Sequence, residues 1–189
     1  MDVYIIFTDT KTPLSKMIKA YTRHPYSHVS LAFSSDLTEV YSFGRKNADN
    51  AFNGGFVKED MHNHLFQRAH CAIFKCPVDA KGLKAMKNFV FAMEQERDRY
   101  KYNVAGLFGV VVKRGFGGEN SFFCSQFVAE VLRQGRIEIS QKPSRLMMPR
   151  DIFCADFLQL AYSGPLSSYP PLVSEQPCKM ENTMLMEAL

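Results

Sequence analysis

The chain has 189 residues, with 23 basic and 19 acidic side chains and a formal net charge of +4 at pH 7. Its length fits one domain, and a composition of 46% hydrophobic and 22% charged residues excludes a disordered chain. Because the basic residues are scattered rather than clustered, we expect no nucleic-acid partner. The sequence lacks both a run of about eighteen apolar residues and a signal-peptide pattern, so we expect no integral membrane contact and a cytoplasmic location.

The cysteines are odd in number and form no regular disulfide framework, which indicates a reduced compartment. They are Cys71, Cys76, Cys124, Cys154 and Cys178. The apolar patterns around Cys71 and Cys154 are typical of buried free thiols. His62, His64 and His70 lie close to Cys71 in sequence, but no Cys-x-x-Cys spacing accompanies them. We therefore predict neither a metal site nor a cofactor.

The N-terminal half predicts strands and one helix. Thr12 followed by Pro13 marks a helix start, and the helix should end before His24, because the residue preceding a proline avoids the α region. The second and third predicted strands form a hairpin with a turn between them. The β-branched and aromatic runs that predict strands are residues 3–7, 28–33, 39–43 and 71–75. The asparagine- and glycine-rich residues 44–59 predict a loop.

The C-terminal half predicts three helices. Asp79 caps the first, which carries an apolar stripe along one face. The second begins near Ser121 and closes at Gly135, a residue typical of helix ends. Residues 151–162 predict a last amphipathic helix that ends at Gly164. We expect residues 1–164 to form one domain and residues 165–189, which contain proline and methionine, to form a tail.

Cys124 and His28 are the candidates for chemistry. Cys124 stands at the start of a predicted helix, where unpaired N–H groups and a partial positive charge favour a thiolate. His28 begins a predicted strand nearly a hundred residues upstream. If the two side chains meet, the chain has a thiol nucleophile and its general base. The alternative from the residues alone is an inert buried cysteine beside a core histidine.

Four segments together resemble a known family. They are Ser-His-Val-Ser-Leu-Ala-Phe at 27–33, Tyr-Ser-Phe-Gly-Arg at 41–45, Lys-Tyr-Asn-Val-Ala-Gly-Leu at 101–107 and Phe-Cys-Ser-Gln-Phe-Val at 123–128. In this order they resemble the permuted papain-fold group. That group includes YiiX-like hydrolases and relatives of lecithin:retinol acyltransferase, and it is a permuted branch of the NlpC-type peptidase superfamily. The histidine precedes the cysteine, as the permuted order requires.

The resemblance implies an α+β fold of circularly permuted papain type, with a small, mainly antiparallel sheet packed against the nucleophile helix. It also implies roles for individual residues. Cys124 matches the nucleophile and His28 matches the base. Tyr102 resembles the tyrosine that such relatives place near the developing oxyanion; a half-buried packing aromatic is the alternative.

The third position, which orients the imidazole, departs from the family pattern. A three-residue hairpin loop pairs His28 with Ser42, whereas a four-residue loop pairs it with Phe43 and puts Glu39 on the histidine's face. The family alignment favours Ser42. A serine orients an imidazole weakly, so Ser42 acts with water, Glu39 replaces it, or the site is a dyad.

These residues predict a cysteine hydrolase that cleaves an amide or ester bond through an acyl-enzyme. An acyltransferase acting on lipid or amine substrates is the alternative within chemistry, because water and another acceptor compete for the same intermediate. A binding domain that retains the cleft without catalysis is the alternative from another class. The expected partner is a small-molecule, peptide or lipid substrate.

Overall fold

The computed structural model describes residues 1–47, 50–102 and 121–170. Its main strands are β1 (Asp2–Asp9), β2 (His28–Ala32), β3 (Val40–Asn47), β4 (Asn50–Glu59), β5 (His70–Pro77) and β8 (Gln159–Pro165). A short parallel pair consists of β6 (Lys101–Tyr102) and β7 (Ser121–Phe122). The helices are α1 (Pro13–Thr22), α2 (His64–Gln67), α3 (Ala80–Gln95), α4 (Cys124–Gln134) and α5 (Pro149–Phe153). The fold is therefore of the α+β class.

Six strands form an antiparallel sheet in the order β4-β3-β2-β1-β5-β8. Alternate residues of each strand point to opposite faces. One face carries Val3, Ile5 and Phe7 of β1 and packs on the apolar sides of α3 and α4. The other face carries Tyr4 and Ile6 in a smaller apolar cluster. The helix that begins at Cys124 thus packs against the sheet as expected, lying over β2 and β3.

Two predicted helix starts are confirmed in atomic detail. Thr12 caps α1 by accepting a hydrogen bond from the Ser15 N–H, and Pro13 is the first helical residue. Asp79 caps α3 by accepting from the Gly82 N–H at 2.6 Å. In both cases the side-chain oxygen satisfies an N–H group that the helix itself leaves without a partner.

Three predicted element boundaries are wrong. Residues 44–47 and 50–59 are not a loop, because they lie in β3 and β4, which pair with each other antiparallel. The helix predicted from Ser121 begins at Cys124, after the short strand β7. The helix predicted over 151–162 ends at Phe153, and its second half is the edge strand β8. There, β8 completes the sheet beside β5, and its residues are exposed or only partly buried.

Helix α4 ends where the sequence predicts, but the residue that adopts the left-handed conformation there is not the glycine. Gly135 is not left-handed, with φ −78°, and the left-handed residue is Arg136, with φ 62°. The Ile137 N–H donates to the Leu132 carbonyl at 3.0 Å, the long bond of a Schellman ending. Gly135 serves packing instead, because a Cβ there would lie 2.2 Å from Cε of Met86 on α3.

The first residues of the predicted tail pack against the second face of the sheet. Leu166 is buried, and its N–H donates to the Ala69 carbonyl at 2.9 Å. The Tyr169 hydroxyl donates to the Ser35 carbonyl at 3.0 Å. Residues 171–189, including Cys178, lie outside the described part of the chain. Within the described ranges, none of the helices has the length and apolar character needed to span a bilayer.

Candidate active site

Four polar side chains from three neighbouring strands meet on one face of the sheet. His28 and Ser30 come from β2, Ser42 from β3 and Glu59 from the end of β4. Glu59 Oε1 accepts from His28 Nε2 at 2.7 Å and from the Ser42 hydroxyl at 2.6 Å. Its second oxygen, Oε2, accepts from the Ser30 hydroxyl at 2.5 Å. Three donors therefore hold one carboxylate against the imidazole.

Both serines that hold Glu59 are fully buried, and the side chain of Glu59 is only 6% exposed. A buried carboxylate is costly unless donors satisfy its oxygens. The hydroxyls of Ser30 and Ser42 supply two of those donors, and the imidazole supplies the third. The arrangement fixes the position of the carboxylate, and through it the orientation of the His28 ring.

The hairpin register differs from both alternatives considered from the sequence. Leu31 pairs with Tyr41, and the Phe33 N–H donates to the Glu39 carbonyl, so five residues form the loop. Ser42 consequently lies opposite Ser30 rather than His28. Within this loop Leu37 adopts a left-handed conformation, with φ 59°, and is buried. Periodicity alone gives no sign of such a residue.

Glu39 lies away from the imidazole, so it does not take the orienting position. Its Oε2 is 3.0 Å from Nζ of Lys87 on α3, and both side chains are more than 40% exposed. The carboxylate that contacts His28 is that of Glu59. Ser42 is in the site, but it donates to Glu59 instead of contacting the ring itself.

Cys124 is the first residue of α4 and is 6% exposed. Its side chain lies within hydrogen-bonding reach of the His28 imidazole. Because Nε2 of that ring faces Glu59, Nδ1 is the nitrogen left for the thiol. The ladder between β2 and β3 covers only two residue pairs, next to the hairpin loop. At the His28 end, β2 and β3 form no ladder pairs with each other, although β2 still pairs with β1 through Thr8 and His28.

The electrostatics favour a charged imidazole. Burial opposes protonation of His28, but the Glu59 charge and hydrogen bonds to Cys124 and Glu59 outweigh it and raise the pKa of His28 to about 10. Burial likewise opposes ionisation of Glu59, yet the His28 charge and three hydrogen bonds lower the pKa of this carboxyl. The pair is therefore an imidazolium and a carboxylate at neutral pH.

The start of α4 is held in place from a second direction. The Ser125 hydroxyl donates to the Met147 carbonyl at 2.7 Å, and both residues are buried. Phe123 occupies the N-cap position and provides no capping hydrogen bond from its side chain. The first N–H groups of the helix, around Cys124, are thus not taken by a capping side chain.

Tyr102 is placed by its backbone alone. Strand β6 pairs with β7 in parallel, so that Tyr102 lies beside Phe122, two residues before Cys124. Its side chain lies outside the described part of the structure, and its predicted oxyanion role remains a prediction. Residues 103–107 of the same motif are also outside the described ranges.

A cavity of about 240 Å³ adjoins the site. His28, Gly44 and Glu59 form one wall, whereas Cys124 is not among the lining residues. Five apolar side chains come from two helices and β4, namely Leu14, Ile18, Val57, Leu65 and Phe66. The cavity thus reaches the imidazole and its carboxylate from the side away from α4.

The other sequence candidates lie elsewhere. Cys71 is buried as expected, and burial raises the pKa of its thiol to about 12. Cys154 is exposed, contrary to the expectation of a buried thiol, because it is the C-cap residue of α5 rather than part of the longer helix that the sequence predicts. Across the described residues, no three histidine, cysteine or acidic side chains form a cluster able to hold a metal ion.

Glu59 is the residue that the sequence reasoning missed. It lies in the segment interpreted as a loop, where Gly54 and Gly55 obscure the strand. The sequence signal for Glu59 is the short alternation of apolar and polar residues after these glycines, which is typical of a strand. Phe56 faces the α4 core, and Val57 and Glu59 face the histidine. A lone acid on the histidine's side of a strand is a candidate partner for the imidazole.

No protein-family model fits the chain, and no curated protein is significantly similar to it.

Proposed function

We propose that the protein is a cysteine hydrolase that cleaves an amide or ester bond through a Cys124 acyl-enzyme. The observation that supports it is the position of one imidazole between a thiol and a buried carboxylate. His28 contacts Glu59 at 2.7 Å through Nε2 and has Cys124 within reach on its other side. Nucleophile, base and orienting group in this order are what covalent acyl transfer requires.

In the proposed first step, the Cys124 thiolate attacks the substrate carbonyl carbon and forms a tetrahedral intermediate. The His28 imidazolium then gives its proton to the leaving amine or alcohol as the bond between carbonyl and leaving group breaks. Water next attacks the thioester, and His28 takes its proton. The tetrahedral intermediate then collapses, the carbon–sulfur bond breaks, and the Cys124 thiolate leaves as the carboxylic acid is released, which returns the site to its starting thiolate and imidazolium.

Glu59 has the orienting role in this mechanism. Its carboxylate fixes the ring with Nδ1 toward Cys124 and stabilises the positive charge that the imidazole carries. Ser30 and Ser42 are positioning residues, because they act on Glu59 rather than on the substrate. The site is thus proposed as a Cys-His-Glu triad, in which the carboxylate replaces the serine or dyad considered from the sequence.

The oxyanion is proposed to lie at the start of α4. The N–H groups there are free of side-chain caps and carry the partial positive charge of a helix of 11 residues. Tyr102 is a second proposed donor, since its backbone lies beside Phe122. The proposed fold is the permuted papain type, supported by the antiparallel sheet, the packed Cys124 helix and the histidine that precedes the cysteine.

The first test is alkylation of the intact protein by iodoacetamide, with each modified cysteine located by peptide mass. We expect Cys124 to react fastest near pH 7, and the variants His28→Ala and Glu59→Gln to slow it at least tenfold. Cys71 and Cys76 are internal references, because burial raises the pKa of each thiol to about 12. A Cys124 that reacts no faster than these two, or that ignores His28→Ala, refutes the hydrolase and favours a binding domain.

A further inference from the structure

We propose that His24 is an acid-sensitive switch, which keeps helix α5 on the sheet while its imidazole is neutral and releases the helix when the imidazole takes up a proton. The segment before α5 in turn supports the start of α4, where Cys124 lies. The switch can be tested whether or not the chain is a hydrolase, because its support is packing and its readouts are unfolding and hydrogen exchange.

His24 is only 6% exposed and lies in an aromatic cluster between the sheet and α5. The ring centroids of Phe7, Tyr26 and Phe153 lie 6.1, 5.8 and 5.0 Å from the centroid of its imidazole. Phe153 of α5 also lies 5.1 Å from both Phe7 and Phe74 of the sheet, in edge-to-face contacts. The imidazole is therefore part of the packing that attaches α5 to the sheet.

One nitrogen of this imidazole has a partner and the other has none. Nδ1 of His24 lies 3.3 Å from the Tyr26 carbonyl oxygen and 3.4 Å from the Tyr26 nitrogen. One of these backbone groups satisfies Nδ1 in either neutral tautomer. Nε2 is buried and has no hydrogen-bond partner among the described residues. Because a protonated imidazole carries an N–H on both nitrogens, the Nε2–H of the charged ring would be buried without an acceptor.

The charges around His24 also oppose its protonation. Burial lowers the pKa of the imidazole, the Tyr26 carbonyl offsets part of this effect, and the positive charge of Arg150 on α5 lowers the pKa further. Arg23, the preceding residue in the chain, is also basic. A proton on His24 therefore favours a state in which the ring leaves the cluster and reaches water.

The acidic groups of the elements around His24 are engaged elsewhere. Asp9, the last residue of β1, forms an ion pair with Lys19 on α1. Asp151 of α5 accepts from Nζ of Lys142 at 2.5 Å. Neither carboxylate is among the groups that raise the pKa of His24. Protonation of His24 in the cluster thus gains no compensating ion pair.

Release of α5 would reach Cys124 through one hydrogen bond. Met147 directly precedes the N-cap residue of α5, and its carbonyl accepts from the Ser125 hydroxyl at 2.7 Å. Ser125 is the second residue of α4, next to Cys124. Both partners of this bond are buried, so water does not readily replace it while α5 stays in place. When α5 leaves the sheet, the start of α4 loses this support.

The first experiment compares urea denaturation of the wild type with that of His24→Phe, whose ring fills the cluster but cannot take a proton. The pKa of His24 is lowered from 6.5 in the fold, so the unfolded chain binds the additional proton, and stability is lost as the pH falls below 6.5. We expect the unfolding constant of the wild type, relative to that of His24→Phe, to rise by up to about tenfold for each pH unit below 6.5. The contribution of His28 and Glu59 cancels in this ratio, because both proteins contain the pair.

Hydrogen exchange read by peptide mass locates the change in the chain. At pH 5.5, residues 149–154 and 124–128 should exchange faster in the wild type than in His24→Phe, whereas at pH 7.5 the two proteins should agree. Ser125→Ala should leave the acid response of 149–154 and remove that of 124–128. His24→Asn, which keeps an acceptor for the Tyr26 N–H, repeats the comparison if His24→Phe does not fold. His62→Phe is the matched control, because His62 is exposed.

Three outcomes would overturn the proposal. If the unfolding constants of the wild type and His24→Phe change in parallel between pH 7.5 and 5.5, His24 is not an acid-sensitive group of the fold. If residues 149–154 exchange equally in the two proteins at pH 5.5, protonation does not release α5. If 149–154 respond but 124–128 do not, the link from α5 to the start of α4 is refuted.

Discussion

Nε2 of His28 lies 2.7 Å from Oε1 of Glu59, although 30 residues separate the two in the chain. The contact exists because β2, β3 and β4 are neighbours in one antiparallel sheet and present alternate residues to the same face. A carboxylate in this place fixes the orientation of the imidazole and stabilises its protonated form. The reactivity of Cys124 should therefore depend on Glu59 as strongly as on His28.

The first prediction concerns the charge of Glu59. Glu59→Gln keeps the size of the side chain but removes the negative charge, so the pKa of His28 should fall from about 10 toward its usual value. We expect alkylation of Cys124 at pH 7 to slow at least tenfold. The His28 pKa can be followed by NMR of the ring protons. Glu39→Gln is the matched control, because Glu39 pairs with Lys87 at the surface. Equal effects of the two substitutions would contradict the triad.

The second prediction concerns the two serines. Ser30→Ala and Ser42→Ala each remove one donor from a buried carboxylate, a loss of about 2 kcal/mol in the free energy of unfolding. Both residues are fully buried, so water does not readily replace the hydroxyl. We expect each variant to reduce Cys124 alkylation less than Glu59→Gln does, since the carboxylate and its charge remain. Urea denaturation gives the stability change. If Ser42→Ala slows Cys124 alkylation as much as Glu59→Gln does, Ser42 acts on the imidazole directly.

The third prediction is a pH window for stability. The pKa of His28 is raised from 6.5 to about 10, so the pair stabilises the fold fully below pH 6.5 and loses this contribution as the pH rises through 10. The pKa of Glu59 is lowered from 4.5, so the same contribution is lost as the pH falls below 4.5. The wild type should exceed Glu59→Gln in stability most clearly between about pH 5 and 6.5. Denaturant midpoints measured from pH 4 to 10 check this. A constant difference across that range would contradict it.

The sequence predicted those features of the fold that depend on local chemistry. Thr12 and Asp79 were identified as caps because their signals lie within four residues. Cys124 and His28 were found as a candidate pair by residue type and resemblance, and the structure brings them together. Glu59 was missed because its role depends on strand pairing across the sheet. The five-residue loop between β2 and β3, in which Leu37 is buried and left-handed, is likewise not revealed by periodicity.

The last prediction uses the end of α4, where the sequence places its glycine one residue before the left-handed position. Arg136 has φ 62°, a conformation that costs a residue with a side chain about 1 kcal/mol. Arg136→Gly should therefore raise the free energy of unfolding by about 1 kcal/mol. Gly135→Ala should lower it by roughly 1–3 kcal/mol, because the new Cβ would lie 2.2 Å from Cε of the buried Met86.

Urea denaturation of the two variants beside the wild type measures both effects, and alkylation of Cys124 serves as the control for the site. The two substitutions are expected to change the free energy of unfolding in opposite directions, although the two residues are adjacent in one turn. The pair of measurements therefore distinguishes the effect of backbone conformation at 136 from the effect of packing at 135. A stabilising Gly135→Ala would mean that Met86 has room to move, and that the contact between α3 and α4 does not require glycine. A destabilising Arg136→Gly would instead show that the arginine side chain contributes more than its backbone strain costs.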